Sequence, residues 1–130
     1  MRLEIVREFS FRAFCQAPGW REKLCECNYR LQVGMKGYAS EHDGIVIEPS
    51  EFDRIVLNTV VNKLDGSHLN CIHGRDGTFP NEVPTTENLA MWIGDQLRYI
   101  LPSYDFPNVT VSMVRLWDTN TSYVEVRYDD

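Results

Sequence analysis

Two stretches of strict alternation leave this chain little choice but a long antiparallel hairpin. From Leu3 to Cys15 the odd positions read Leu3, Ile5, Arg7, Phe9, Phe11, Ala13 and Cys15, against Glu4, Val6, Glu8, Ser10, Arg12 and Phe14. From Cys25 onward the odd positions are Cys25, Cys27, Tyr29, Leu31, Val33 and Met35, against Glu26, Asn28, Arg30, Gln32 and Lys36. A period of two is the mark of a strand with one buried face. Side chains two apart share that face. If the strands pair around Gln16 to Leu24, Cys15, Cys25 and Cys27 meet on the apolar face at one end of the hairpin. Three soft donors then converge, an arrangement suited to a thiol-held metal. The alternative is three small core residues, since free cysteine is among the most buried residue types.

The rest of the chain supplies helices to cover that face and strands to extend it. Pro49-Ser50-Glu51 opens a helix whose apolar positions, Phe52, Ile55, Val56, Val60 and Val61, keep helical spacing. Leu64 to Pro84 carries Asp65-Gly66, Gly74, Asp76-Gly77 and Pro80, and reads as a long irregular loop where chemistry is to be sought. Pro84-Thr85-Thr86-Glu87 has capping chemistry for a second helix, apolar at Leu89, Trp92, Ile93, Leu97, Ile100 and Leu101 until Pro102 stops it. Val109 to Trp117 and Tyr123 to Tyr128 read as two more strands, joined around Asp118-Thr119-Asn120-Thr121. The expected fold is α+β, a single domain over residues 1–130 in the order strand, strand, helix, helix, strand, strand, with both helices on one face of an antiparallel sheet. Such a sheet has open edges, which symmetric assembly would close.

Composition narrows the partners. A net charge of -6, with thirteen Lys and Arg scattered along the chain, argues against nucleic acid, which requires a basic stripe. No apolar run reaches membrane-spanning length, and Met1-Arg2-Leu3-Glu4 leads into a strand pattern, so the chain reads as cytosolic with no membrane partner. Four cysteines in a reducing compartment point to free thiols, metal ligands or catalytic groups before disulfides.

The element order and several motifs together resemble the 6-pyruvoyltetrahydropterin synthase and 6-carboxytetrahydropterin synthase family. The helix-opening motif of that family is similar to Pro84-Thr85-Thr86-Glu87-Asn88-Leu89-Ala90. Its Leu-Asp-His segment resembles Leu64-Asp65-Gly66-Ser67-His68-Leu69-Asn70, and its Glu-Thr turn resembles Asp118-Thr119. Where the family has His-Gly-His-Asn-Tyr, this chain has Cys25-Glu26-Cys27-Asn28-Tyr29, and the aromatic-x-Ala-Ala-His ending of the first strand corresponds to Phe11-Arg12-Ala13-Phe14-Cys15. The three zinc histidines of the family thus become cysteines.

The resemblance implies the tunnelling fold, in which the sheet closes into an oligomeric barrel, with a homohexamer of two stacked trimers as the expected assembly. It implies a pterin or related guanine-derived bicyclic ligand, held by a carboxylate at Asp118 together with Thr86 and Glu87 at the helix start. A carboxylate facing two adjacent N–H donors makes a selective bidentate pair. Read without the resemblance, Asp118 is a turn residue and Glu87 a helix-start carboxylate. Zinc is implied at Cys15, Cys25 and Cys27. Of the proton-moving set only Asp65 has a counterpart. No cysteine lies between Gly19 and Leu24, and the family histidine aligns with Gly66. His68 is a candidate replacement base, as is His73; either also suits a solvated loop. Three functions follow: a pterin-binding protein without the ordinary synthase reaction, an atypical zinc-dependent lyase on a dihydroneopterin triphosphate-like substrate, and a thiol redox or metal-binding module.

Overall fold

A computed structural model describes residues 1–15, 25–69 and 85–129, and for Cys15 and Cys25 it describes the backbone. Strand β1 (Arg2–Cys15) pairs with β2 (Cys25–Tyr38) along its whole length, from Arg2 opposite Tyr38 to Cys15 opposite Cys25. Every pair in this register joins odd with odd or even with even, so the two apolar rows share one face. Phe11, Ala13, Tyr29, Leu31, Val33 and Met35 are accordingly buried. Arg7 is the misfit in that row. It is accommodated by helix α1, whose Asp53 accepts two hydrogen bonds from its guanidinium, 2.6 Å from Nε and 2.9 Å from Nη2. The even row forms a polar face laced by Gln32 donating to Glu8 and by the ion pairs Arg30–Glu8 and Arg12–Glu26.

Strand β3 (Thr110–Trp117) adds to β2, and β4 (Tyr123–Arg127) adds to β3, giving a four-stranded antiparallel sheet in the order β1-β2-β3-β4. The β2–β3 ladder begins only at Arg30 opposite Trp117. Residues 25–29 of β2 therefore run on past the end of β3, and that overhang shapes the site.

Helix α1 (Pro49–Val56) starts on proline, whose missing N–H costs nothing in the first turn. It continues through a π-helical stretch, Leu57–Val61, into Asn62–Leu64. Leu64 lies twelve residues beyond Phe52, and both are fully buried. Three α-helical turns take about 10.8 residues, so a strict α-helix would rotate Leu64 away from the core. The wider turn absorbs the extra residue, as π-bulges do. Helix α2 (Thr86–Ile100) is capped by Thr85, whose hydroxyl accepts from the Asn88 N–H at 3.1 Å, and it buries Leu89, Ala90, Trp92, Ile93 and Leu97 against β3 and β4. At Gly94 a Cβ would collide with Tyr128 Oη, so the absent side chain lets α2 sit down on the tyrosine. The helix gives way to a 3-10 turn, Leu101–Ser103, at Pro102. The expected order of strands and helices is what the described residues form. The greater part of the expected long loop, with Cys71 and His73, lies outside them, as does Pro84.

Candidate functional site

The overhanging end of β2 and the turn after β3 face each other across a cleft of about 430 Å³ lined by Glu26, Cys27, Asn28, Arg30, Trp117, Asp118, Thr119 and Asn120. Two carboxylates line it: Glu26, paired with Arg12, and Asp118, one residue after β3 ends. Asp118 is exposed, yet one of its oxygens is fixed: Thr86 Oγ1 donates to Asp118 Oδ2 at 2.7 Å. The partner is local to α2. With Thr85 as the cap, Thr86 is the first helical residue and its side chain reaches the turn. The helix N-terminus also favours a carboxylate beside it. Among the described residues, nothing else bonds Asp118, so Oδ1 and a second lone pair of Oδ2 are open to a ligand.

The floor of the cleft is stiff. The Arg30 guanidinium lies over the Trp117 ring at 3.9 Å, and Tyr123 packs on the same ring with centroids 4.7 Å apart. Stacked cation and aromatic contacts of this kind hold a side chain in one plane. Cys27 is half-buried and is not in a disulfide.

A second cleft, about 610 Å³, shares Asn28, Arg30 and Asn120 with the first and extends it past Ser10 and Arg12 to Asp65 and Gly66. Here the segment after Leu64 is stitched to the outer edge of β1. Asp65 Oδ1 accepts from the Arg12 N–H at 3.0 Å, Gly66 donates its N–H to the Arg12 carbonyl at 2.6 Å, and Phe14 donates to the Ser67 carbonyl at 2.9 Å. Gly66 has φ of +74°, a left-handed conformation that glycine takes without strain. Asp65 and Asp118 thus line two neighbouring clefts that share Asn28, Arg30 and Asn120.

Of the residues singled out from the sequence, the structure joins Thr86 to Asp118 directly, sets Cys27 in the same cleft, and brings Asp65 into the adjoining one. Glu87 is exposed on the first turn of α2 and is not among the described residues lining either cleft. His68 sits on the β1 edge opposite Phe14, with Nδ1 buried and without a hydrogen-bond partner among the described residues, and it too lines neither cleft. Arg30, Asn28 and Asn120, which join the two clefts, escaped the sequence reading. Only the β2–β3 register reveals that Arg30 lies opposite Trp117.

The backbone tests the thiol cluster in part. Cys15 and Cys25 are direct partners, and Cys27 follows on the same face opposite Ala13, which adds the least bulk. A set of three sulfurs of this kind suits zinc by donor chemistry. Among the described residues no group of three His, Cys, Asp or Glu is placed to hold a metal; the Cys15 and Cys25 side chains lie outside that description.

An antiparallel sheet carrying helices on one face, with a carboxylate turn beside a helix start, defines the class: this is the tunnelling fold. The family model described as 6-pyruvoyl tetrahydropterin synthase matches residues 4–129, and the chain belongs to that family. A relative from Pyrococcus furiosus, described as a dihydroneopterin monophosphate aldolase, is 29% identical over 98% of this chain and 100% of its own length. A 6-pyruvoyl tetrahydrobiopterin synthase from Dictyostelium discoideum is 30% identical over 77% of this chain and 67% of its own. Among solved structures, the Caenorhabditis elegans 6-pyruvoyl tetrahydropterin synthase superposes with a TM-score of 0.78 at 16% identity, covering 99% of this chain and 97% of that one. No helix among the described residues is long and apolar enough to cross a membrane.

Proposed function

We propose that this chain binds a pterin or a closely related guanine-derived bicyclic ring in the cleft at Asp118. The observation that carries the reading is the Asp118 carboxylate, held by Thr86 with an oxygen left to accept the adjacent N–H donors of the ring edge. The stiff Arg30–Trp117 layer gives a flat ring a wall of matching shape. Glu87 lends negative charge at the helix start from outside the cleft. The neighbouring cleft, toward Asp65, accommodates the substituent of the ring.

A second reading, lyase chemistry on that substituent, is favoured by the end-to-end match to the Pyrococcus protein described as an aldolase. In it Asp65 would move a proton at the substituent, with one oxygen steadied by the Arg12 N–H and the other unbonded among the described residues. His68 would be recruited only if its buried Nδ1 turned toward that cleft. Cys15, Cys25 and Cys27 would hold zinc, which when bound would polarise an oxygen of the substituent. Three thiolates carry more negative charge than three imidazoles, so the cation they hold is the weaker Lewis acid. The reading takes the homohexamer of two stacked trimers, which would close the edges of β1 and β4, and a cytoplasmic location from the family resemblance.

Fluorescence titration of purified protein with pterins tests the binding. Elemental analysis under reducing conditions and turnover of dihydroneopterin phosphates separate binder from lyase. Saturable ring binding supports the proposal, and stoichiometric zinc with product formation supports the lyase. No binding of any pterin overturns both, and leaves the thiol or metal module.

A further inference from the structure

We infer a second binding site, for an uncharged amino-purine such as the base of adenosine, in a cleft between the π-helical stretch after α1 and the C-terminal half of α2. The cleft measures about 330 Å³ and is lined by Asn58, Thr59, Gln96, Tyr99, Ile100 and Tyr104. That volume falls at the lower end of the range of small-molecule sites, about 300–1,000 Å³. No lining residue is shared with either cleft near Asp118, so the inference goes beyond the pterin reading and does not depend on it.

Local structure explains why these side chains meet. The wide turn at Leu57–Val61, which brings Leu64 to the core, also carries Asn58 and Thr59. Such turns recur at functional sites. On α2, Gln96, Tyr99 and Ile100 stand at i, i+3 and i+4 and therefore share one face. Tyr104 closes the end, just past the 3-10 turn. Its N–H donates to the Leu101 carbonyl at 3.0 Å, and its own carbonyl accepts from the Phe106 N–H at 2.9 Å. The ring is placed by the Arg54 guanidinium, 5.2 Å from its centroid, and Glu51 in turn holds Arg54 at 2.6 Å. One wall is thus set before any ligand arrives.

The lining selects the ligand. Five of the six residues carry neutral hydrogen-bonding groups, and none carries a charge. Among the described residues, the side chains of Asn58, Thr59, Gln96, Tyr99 and Tyr104 make no hydrogen bond. An ion would enter without a counter-charge on the lining, at a cost in desolvation, so the site suits a neutral molecule. A primary amide sets a donor beside an acceptor, the complement of the amino and ring-nitrogen edge of adenine. Adenine has two such edges, N6 with N7 and N6 with N1, and the cleft holds two amides, Asn58 and Gln96. Tyr99, which is 83% exposed, and Tyr104 offer ring faces to a flat heterocycle.

The test is equilibrium dialysis of the full chain, without pterin, against adenosine, with N6,N6-dimethyladenosine as the probe that lacks the amino N–H donors. Saturable adenosine binding is expected, with the dimethyl probe roughly tenfold weaker on the unaltered chain. Gln96→Leu on α2 and Asn58→Leu on the facing wall are each expected to weaken adenosine by roughly tenfold, as is Tyr99→Ala. These positions are exposed or half-buried, and a urea midpoint for each variant checks that the fold is kept. Asp118→Ala is expected to leave adenosine affinity unchanged, which separates this site from the pterin cleft. No saturation at millimolar adenosine, equal affinity for the two probes, unchanged affinity in all three cleft variants, or loss of binding in Asp118→Ala overturns the assignment.

Discussion

Thr86→Val removes the hydroxyl that fixes the Asp118 carboxylate while keeping the volume of the side chain. In the folded chain this is an O–H···O⁻ hydrogen bond of 2.7 Å at an exposed carboxylate. A bond of this class contributes about 1.5–3 kcal/mol in general, and solvent brings this one to the lower end. Little of that sum reaches the ligand, because Thr86 holds the carboxylate both before and after binding. What the ligand loses is preorganisation: the carboxylate must be ordered on binding, at about 0.5–1.5 kcal/mol for an immobilised side chain. At 1.4 kcal/mol per tenfold, pterin affinity is expected to fall roughly twofold to tenfold. Thr86→Ser restores the hydroxyl and is expected to bind as the unaltered chain does. Helix α2 keeps its cap in both variants, since Thr85 supplies it. The assay is fluorescence titration beside a urea curve that reports folding. Equal or tighter binding by Thr86→Val refutes the reasoning, for it would mean that the hydroxyl competes with the ring for the carboxylate.

Asp53→Ala leaves Arg7 in an apolar row without its two hydrogen bonds, and a loss of about 1 kcal/mol is expected after allowance for exposure; an unchanged urea midpoint would show that α1 is held by packing alone. Glu125 is held below its usual 4.5, chiefly by a hydrogen bond from Arg115, which outweighs the opposing effect of burial, with lesser help from Arg127. Its stabilisation is therefore complete above the unfolded-state value and lost as pH falls through the folded one. Glu125→Gln is expected to shallow the decline of Tm in acid, and parallel curves for both proteins would contradict this. Asp65→Ala removes the acceptor of the Arg12 N–H, so amide exchange at Arg12 is expected to accelerate while the Phe14 amide, bonded to Ser67, stays protected. Equal protection at Arg12 in both proteins would assign Asp65 no structural share in its cleft.

The hairpin was legible because a period of two is a local signal and each odd position of β1 meets an odd position of β2. Helix α2 was legible for the same reason, with Thr85 as the cap and Pro102 just past its end. The π-helical stretch was not read. Its cause is a phase slip between Phe52 and Leu64 that matters only once both must reach one core. Arg7 stood as an anomaly in its row until α1 brought Asp53 to it. At the site, Asp118 and Thr86 were found through motif likeness, but their hydrogen bond joins residues 32 positions apart and no spacing rule contains it. Arg30 was visible only as a polar-face residue, because its stacking on Trp117 depends on the start of the β2–β3 ladder there.

The most direct measurement is the affinity of Asp118→Asn for a pterin, set against its affinity for a ring whose 2-amino group is replaced by oxygen. The amide presents one acceptor and one donor where the carboxylate presents two acceptors, so one ring N–H meets an N–H. The expected result is a loss of at least about a hundredfold for the pterin, with little further loss for the 2-oxo ring, which the carboxylate does not favour. A pterin Kd within about threefold of the unaltered chain, a difference well under 1 kcal/mol, would contradict the anchor and with it the assignment of the cleft.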